Sequence, residues 1–120
     1  MKTIFVQIIL LTFSFSVYSQ TIKIEGKYRL NDSKRVLEIY LQNSKYYGKI
    51  IKNDSGVEVK NGHVLLNGFV YNSKENIYTG IVNSPKGVTA DGELEVIDKK
   101  TIKLTVQRFI TTKSFIFEKI

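Results

Sequence analysis

Clusters of turn-forming residues interrupt this chain at short and fairly even intervals after residue 30. Asn, Asp and Ser side chains bond to their own backbone and Gly accepts positive φ, so such clusters reverse the chain direction. Between them lie runs rich in Ile, Val, Leu, Tyr, Phe and Thr, which suit a pleated surface. No run after residue 20 has a helical pattern. We therefore expect eight strands, at 23–30, 35–42, 45–52, 63–71, 76–83, 88–97, 101–108 and 113–119.

Alternation of side chains within these runs indicates one apolar and one mixed face per strand. In the second strand, Leu37, Ile39 and Leu41 share the apolar face, and Val36 and Tyr40 share the mixed face. Connections of two to five residues are too short for parallel crossovers, so consecutive strands pair as hairpins. Closing the sheet removes both exposed edges. We predict an all-β fold: a single antiparallel up-and-down barrel of about eight strands.

A two-sheet sandwich is the competing architecture, but it usually needs a long Greek-key connection, and no linker here is long enough. Glycines inside the strand runs favour the barrel, because Gly permits sharp coiling and close backbone approach. They are Gly48, Gly68, Gly80 and Gly92.

The first nineteen residues are typical of a secretory signal peptide. A positive charge at Lys2 precedes an apolar run from Ile4 to Phe15, which is too short for a spanning helix of about 20 residues. Cleavage is expected between Ser19 and Gln20. The alternative is a retained N-terminal anchor. We expect residues 20–120 to form one domain, without a transmembrane segment, exported to the periplasm or cell exterior and soluble after removal of the leader.

The scarcity of reactive side chains restricts the chemistry. With no Cys, the chain has neither disulfides nor thiolate metal sites, and it cannot be lipidated at a Cys after the leader. His63 is the single histidine, so no histidine pair can bind a metal or relay protons. Glu93 and Glu95 share one strand face, whereas glycosidase acids lie across a cleft. We therefore predict no catalytic constellation, no metal and no cofactor.

The positive charge is dispersed along the chain. Lys and Arg number 18 against 11 acidic residues, for a net charge of +7, or +6 once Lys2 leaves with the leader. No run of five or six cations resembles a nucleic-acid-binding arm, so nucleic acid is not an expected partner. Two interpretations stay open: attraction to anionic envelope surfaces, and a solvated lysine exterior that keeps strand edges from pairing.

Aromatic residues in the strands suggest a binding cavity. Half-buried tyrosines can supply an apolar wall with a hydroxyl group, although the same residues can simply fill a small barrel. For a ligand inside the barrel or at its mouth, the candidate binding residues are Tyr40, Tyr47, Tyr78, Arg108 and Phe117.

Four segments carry a family resemblance. Val36–Tyr40 followed by Tyr46–Ile51 resembles the V-x-I-Y and Y-Y-G-K-I opening of the bacterial domain-of-unknown-function 2147 family. Gly80–Gly87 resembles its G-x-I-x-D-P-x-x-G segment, and Phe117–Ile120 its W-x-R-V ending. The chain looks like a divergent member, since it contains no Trp. The resemblance implies a lipocalin-like barrel in the bacterial envelope, with no assigned catalytic residues.

Two functions remain open from the sequence. The first is a periplasmic or secreted module that binds a small apolar or amphipathic molecule in its barrel. The second is an envelope interaction or stress-related protein with a filled core, which acts through its basic surface. An interior cavity would distinguish them, because only the first requires space inside the barrel.

Overall fold

The structure, a computed structural model, describes residues 23–60 and 62–120. In these ranges eight antiparallel strands follow one another in chain order, and β8 pairs with β1 to close a barrel. The predicted all-β, up-and-down barrel is confirmed. The expected signal peptide and its cleavage site lie outside the described residues. The strands are β1 (Gly26–Leu30), β2 (Val36–Gln42), β3 (Lys45–Lys52), β4 (Val64–Asn72), β5 (Ile77–Asn83), β6 (Thr89–Val96), β7 (Thr101–Arg108) and β8 (Thr111–Lys119).

Strand boundaries differ from the prediction mainly at β1 and β8. β1 begins at Gly26 rather than at residue 23, and β8 begins at Thr111 rather than at residue 113. The expected strands 101–108 and 113–119 left residues 109–112 to the connection, which is wrong for Thr111 and Thr112. Thr111 pairs with Arg108, so the chain reverses within the two residues between them. Threonines suit an extended ribbon, and they continue the ladder here.

The connections alternate between the two ends of the barrel. One end, called the tip end, carries the β1–β2, β3–β4, β5–β6 and β7–β8 connections. The other, called the terminal end, carries the start of β1 and the end of β8. Two tip-end connections are joined by an ion pair, in which Arg35 Nε and Nη2 donate to Asp54 at 2.9 and 3.0 Å. These hydrogen bonds hold the pKa of Asp54 below its usual value.

The core fills the inside of the barrel with apolar side chains from all eight strands. Tyr28 is buried there, and its hydroxyl donates to the carbonyl oxygen of Ile24 at 2.8 Å. Among the described residues, no polar or charged side chain other than tyrosine is buried. The cluster comprises Ile24, Tyr28, Leu37, Ile39, Ile50, Leu65, Leu66, Phe69, Tyr78, Val82, Leu94, Ile102, Leu104 and Phe117.

Two residues of β2 depart from the predicted burial. Leu41, assigned to the apolar face with Leu37, is 50% exposed because it lies at the terminal end of its strand. Val36, assigned to the mixed face, is buried. It lines a cleft with Val59, whose amide donates to the Ile51 carbonyl at 2.9 Å, so the β3–β4 connection folds back over the outside of the barrel.

A glycine pair makes room for the ring of Phe69, a fully buried core side chain. Gly80 and Gly92 lie opposite each other on β5 and β6, and Phe69 packs against both. A Cβ atom on Gly80 would lie 2.5 Å from the Phe69 ring, and one on Gly92 would lie 2.5 Å from Val82 and 2.9 Å from that ring. The missing side chains therefore leave the volume that Phe69 occupies.

The β7–β8 hairpin extends past its neighbours at the tip end. β8 pairs with β1 at three positions, ending at Leu30–Phe117, but with β7 at eight positions, ending at Arg108–Thr111. The last pair between β6 and β7 is Asp91–Gln107. The turn at Phe109 and Ile110 thus lies beyond the last pair of either neighbouring strand.

Candidate functional site

Two of the predicted ligand-binding residues lie on the outside of the barrel. Tyr40 and Tyr47 pair across β2 and β3 with ring centroids 5.8 Å apart and planes 22° from parallel. Lys49 Nζ lies 5.7 Å from the Tyr40 centroid. Since Ile39 points into the core, its neighbour Tyr40 points outward. This stacked pair stabilises the outer face and has no access to the interior.

Two others belong to the inner face. Phe117 is a buried member of the core. Tyr78 is buried at the terminal end, where its ring meets Tyr46 edge-on at 5.4 Å and Tyr71 at 5.0 Å. Burial, with smaller contributions from neighbouring tyrosines, raises the pKa of Tyr78 to about 12. These tyrosines close the terminal end of the barrel.

Arg108, the fifth predicted residue, is exposed at the tip end, with its guanidinium carbon 5.1 Å from the Phe109 ring centroid. The structure therefore places the five residues on the outer face, in the core, at the terminal end and at the tip. It does not bring them together into one site. A ligand-binding role for any of them stays a prediction.

The middle of the barrel is packed. A side chain that lines an empty cavity has water-accessible surface on the cavity side, but Leu37 and Phe69 have no accessible surface. Tyr28, Ile39, Leu66, Leu94, Ile102 and Leu104 are no more than 2% exposed. Interiors packed in this way have few voids larger than water. The centre of the core thus leaves no space for a small-molecule ligand.

Two open clefts lie outside this packed centre. The larger, of about 530 Å³, lies at the tip end between the β5–β6 connection and the β7–β8 turn; it is lined by Ile81, Gly87–Asp91 and Gln107–Phe109. The smaller, of about 350 Å³, lies beside the folded-back β3–β4 connection and includes Val36, Val59 and Ile120. Arg108 is the one predicted ligand-binding residue that lines either of them.

The most exposed apolar residues of the described chain are not among the predicted binding residues. Phe109 is 85% exposed and Ile110 is fully exposed. They form the two-residue turn between β7 and β8, with Phe109 at a φ of +54°. Phe-Ile contains none of the Gly, Asn or Asp residues that mark a two-residue hairpin turn, so no local pattern indicated this turn.

The half of the β7–β8 hairpin nearest this turn carries only positive charges. From Leu104 to Phe117 it contains Arg108 and Lys113 and no acidic residue. Lys113 lies opposite Val106. Phe115, which shares the face of β8 that carries Lys113, is 37% exposed. On the neighbouring strand β6, the acidic residue nearest the turn is Asp91, which lies opposite Gln107 of β7. The β7–β8 hairpin therefore presents an apolar apex with positive charge behind it.

Metal-ligating side chains do not cluster within the described ranges. Residues 23–60 and 62–120 contain no group of three or more His, Cys, Asp or Glu side chains that could hold a metal ion. His63 bonds through Nε2 to the backbone carbonyl of Asn83, which links β4 to β5. In the same ranges, no helix is long and apolar enough to cross a membrane.

Comparisons with known proteins add no relatives. A scan against models of protein families, a search of curated proteins and a search of solved structures each found no match for this chain.

Proposed function

We propose that this protein is an exported barrel with a filled core that attaches to anionic envelope surfaces through its exterior. The observation that carries this proposal is the packed centre, with Leu37 and Phe69 fully buried. A barrel with no central space acts through its surface. Export rests on the leader-like segment at residues 1–19, and the eight-strand barrel fits the family resemblance.

Charge supports an anionic partner. The net charge is +7 over the whole chain, and lysines are distributed around the barrel. Each Lys or Arg close to an anionic lipid surface contributes about 1 kcal/mol, and this attraction is lost within a Debye length of roughly 8–10 Å. Even a few cations facing such a surface would therefore produce measurable binding that salt weakens.

Sedimentation with lipid vesicles tests this proposal. Residues 20–120 would be mixed with vesicles of phosphatidylglycerol and phosphatidylcholine, or of phosphatidylcholine alone, at low and high salt. We expect the protein to sediment with the anionic vesicles at low salt and to be released substantially at about 0.5 M salt, where screening is strong. Equal binding to both vesicle types, or no binding to either at low salt, would refute the electrostatic role.

The tip-end cleft favours a second candidate, binding of a small amphipathic molecule. Its volume of about 530 Å³ is within the range of ligand sites, and it combines Ile81 and Phe109 with the Arg108 guanidinium. In this version the ligand occupies the mouth region rather than the barrel interior.

Native mass spectrometry of protein purified from its own host tests this second candidate. A bound molecule should add mass to the wild-type chain and be lost from Arg108→Ala. Arg29→Ala, at an exposed position on β1 away from the cleft, is the matched control. Unmodified mass in every sample, together with no thermal shift across a lipid panel, would exclude ligand binding.

A further inference from the structure

The β7–β8 turn exposes its two apolar side chains at an unusual backbone position. Phe109 has a φ of +54°, whereas Ile110 has no positive φ. This is the pattern of a type II′ hairpin turn, whose first central residue is usually Gly because other side chains are strained there. The chain thus keeps a large aromatic residue where folding favours Gly. Because Phe109 is 85% exposed, packing within the barrel does not explain it.

The position of the turn adds to its accessibility. It lies beyond the last β6–β7 pair and the last β1–β8 pair, so strands on either side do not shield it. The result is a narrow, convex apex formed by Phe109 and Ile110. A protein partner would need a pocket of matching shape, whereas a bilayer accommodates an apolar wedge of any shape.

Charge complementarity indicates which surface fits. Arg108 adjoins the apex and Lys113 lies two residues beyond Thr111, while acidic residues are missing from Leu104 to Phe117. Apolar side chains at an apex, with cations set just behind them, match the layering of an anionic bilayer: hydrocarbon first, then phosphate.

We propose that the β7–β8 tip inserts Phe109 and Ile110 into the apolar boundary of an anionic lipid bilayer while Arg108 and Lys113 contact the lipid phosphates. This inference rests on the proposed function and names both its partner and the element that binds it. The barrel stays outside the bilayer, and the tip acts as a peripheral anchor.

A single introduced tryptophan tests insertion directly, because the chain contains none. Phe109→Trp retains a large aromatic residue at the apex. We expect its emission to shift to shorter wavelength on mixing with phosphatidylglycerol-containing vesicles, and to be quenched by lipids brominated along the acyl chain. Ile97→Trp, at a half-exposed position of the terminal end, is the matched control and should show neither change.

The outcomes separate the two proposals. Sedimentation with anionic vesicles without a shift of Phe109→Trp would overturn insertion and leave electrostatic attachment standing. A shift with phosphatidylcholine alone would retain insertion and overturn the requirement for anionic lipid. No sedimentation with any vesicle at low salt would overturn both, and saturable capture of one envelope protein would then indicate a protein partner.

Partitioning of serine variants provides the quantitative test. Phe109→Ser with Ile110→Ser should lower the vesicle partition coefficient by at least about tenfold, the lower bound for removing one buried apolar side chain. The control pair, Leu41→Ser with Ile97→Ser, removes exposed apolar residues at the terminal end and should leave partitioning within about twofold. Equal losses in the two pairs would refute a specific role for the tip.

Discussion

Single residues determine both how this barrel packs and where it is strained. At Phe109 the backbone adopts a φ of +54° that a side chain opposes. A residue held in this region costs about 1 kcal/mol or more. The strain is local, because the side chain is almost fully exposed and loses few contacts when it is removed.

Glycine and alanine replacements at the turn should reveal this strain. We expect Phe109→Gly to be more stable than Phe109→Ala by about 1 kcal/mol, because the positive φ strains Ala but not Gly. At Ile110, where φ is not positive, the order should reverse. Urea denaturation of the four variants measures both differences. The same order at both positions would contradict a strained turn.

Ionisation of Tyr78 predicts how stability depends on pH. Its pKa is about 12 in the fold, against about 10 in an unfolded chain, so the unfolded state releases its proton first. The stability that comes from this difference in pKa is fully present below pH 10 and is lost as the pH rises from 10 to 12. Burial also raises the pKa of Tyr28 and Tyr46, which adds to the loss.

Tyr78→Phe isolates this contribution. Between pH 9 and pH 11.5, the free energy of unfolding of this variant should fall by about 2 kcal/mol less than that of the wild type. Urea denaturation at each pH measures the difference. Tyr40→Phe, on the outer face, is the matched control for removing a tyrosine hydroxyl group. Parallel curves for all three proteins would show that Tyr78 titrates normally.

At the scale of strands, the barrel depends on complementary shapes across β4, β5 and β6. Phe69 of β4 occupies the space that Gly80 and Gly92 leave on the neighbouring strands. Adding even one methyl group to such a packed region forces side chains away from their preferred rotamers. The fit couples three strands through one ring.

Gly92→Ala should therefore destabilise the fold by about 1–3 kcal/mol. Phe69→Leu should also destabilise the fold. The double variant should lose less unfolding free energy than the two single variants together, because Leu removes the ring atom that would lie 2.9 Å from the new Cβ. Thermal and urea unfolding of the four-member cycle measure this coupling. Gly87→Ala is a control without steric overlap, although its φ of +86° carries its own cost. Additive losses would contradict the contact.

The strands were predictable because each carries a local signal of alternation bounded by turn residues. Alternation also assigned Tyr40 to the mixed face of the second strand, and Tyr40 lies outside the core as that assignment requires. The two apolar residues of the turn were not predictable in the same way, because Phe-Ile resembles strand sequence and Thr111–Lys113 resembles a loop. Val36 is buried by the distant β3–β4 connection, which no local pattern indicates.

For the whole molecule, closure of the barrel was predictable from the need to remove two sheet edges. The number of residue pairs that join β1 to β8 was not predictable. β1 is five residues long and β8 is nine, so they meet at three pairs, whereas β7 and β8 meet at eight. A junction with fewer hydrogen bonds opens at lower free energy than the rest of a sheet.

Hydrogen exchange should locate this junction. We expect the amides of β1 and of Phe117–Lys119 that face the β1–β8 junction to exchange faster than those between β6 and β7, with about 1–3 kcal/mol less protection. NMR exchange measurements at neutral pH would show the difference residue by residue. Uniform protection around the barrel would mean that it opens only by global unfolding.

The carboxyl end of the chain is held beside the opposite rim from the Phe109 turn. The Ile120 amide donates to the Lys27 carbonyl at 3.0 Å, and the nine residues of β8 separate that point from the turn by roughly 30 Å. A biosensor linker or fluorescent fusion attached after Ile120 would consequently stand clear of the hairpin apex. Immobilised by that route, the molecule would present its apex outward to whatever flows over the chip.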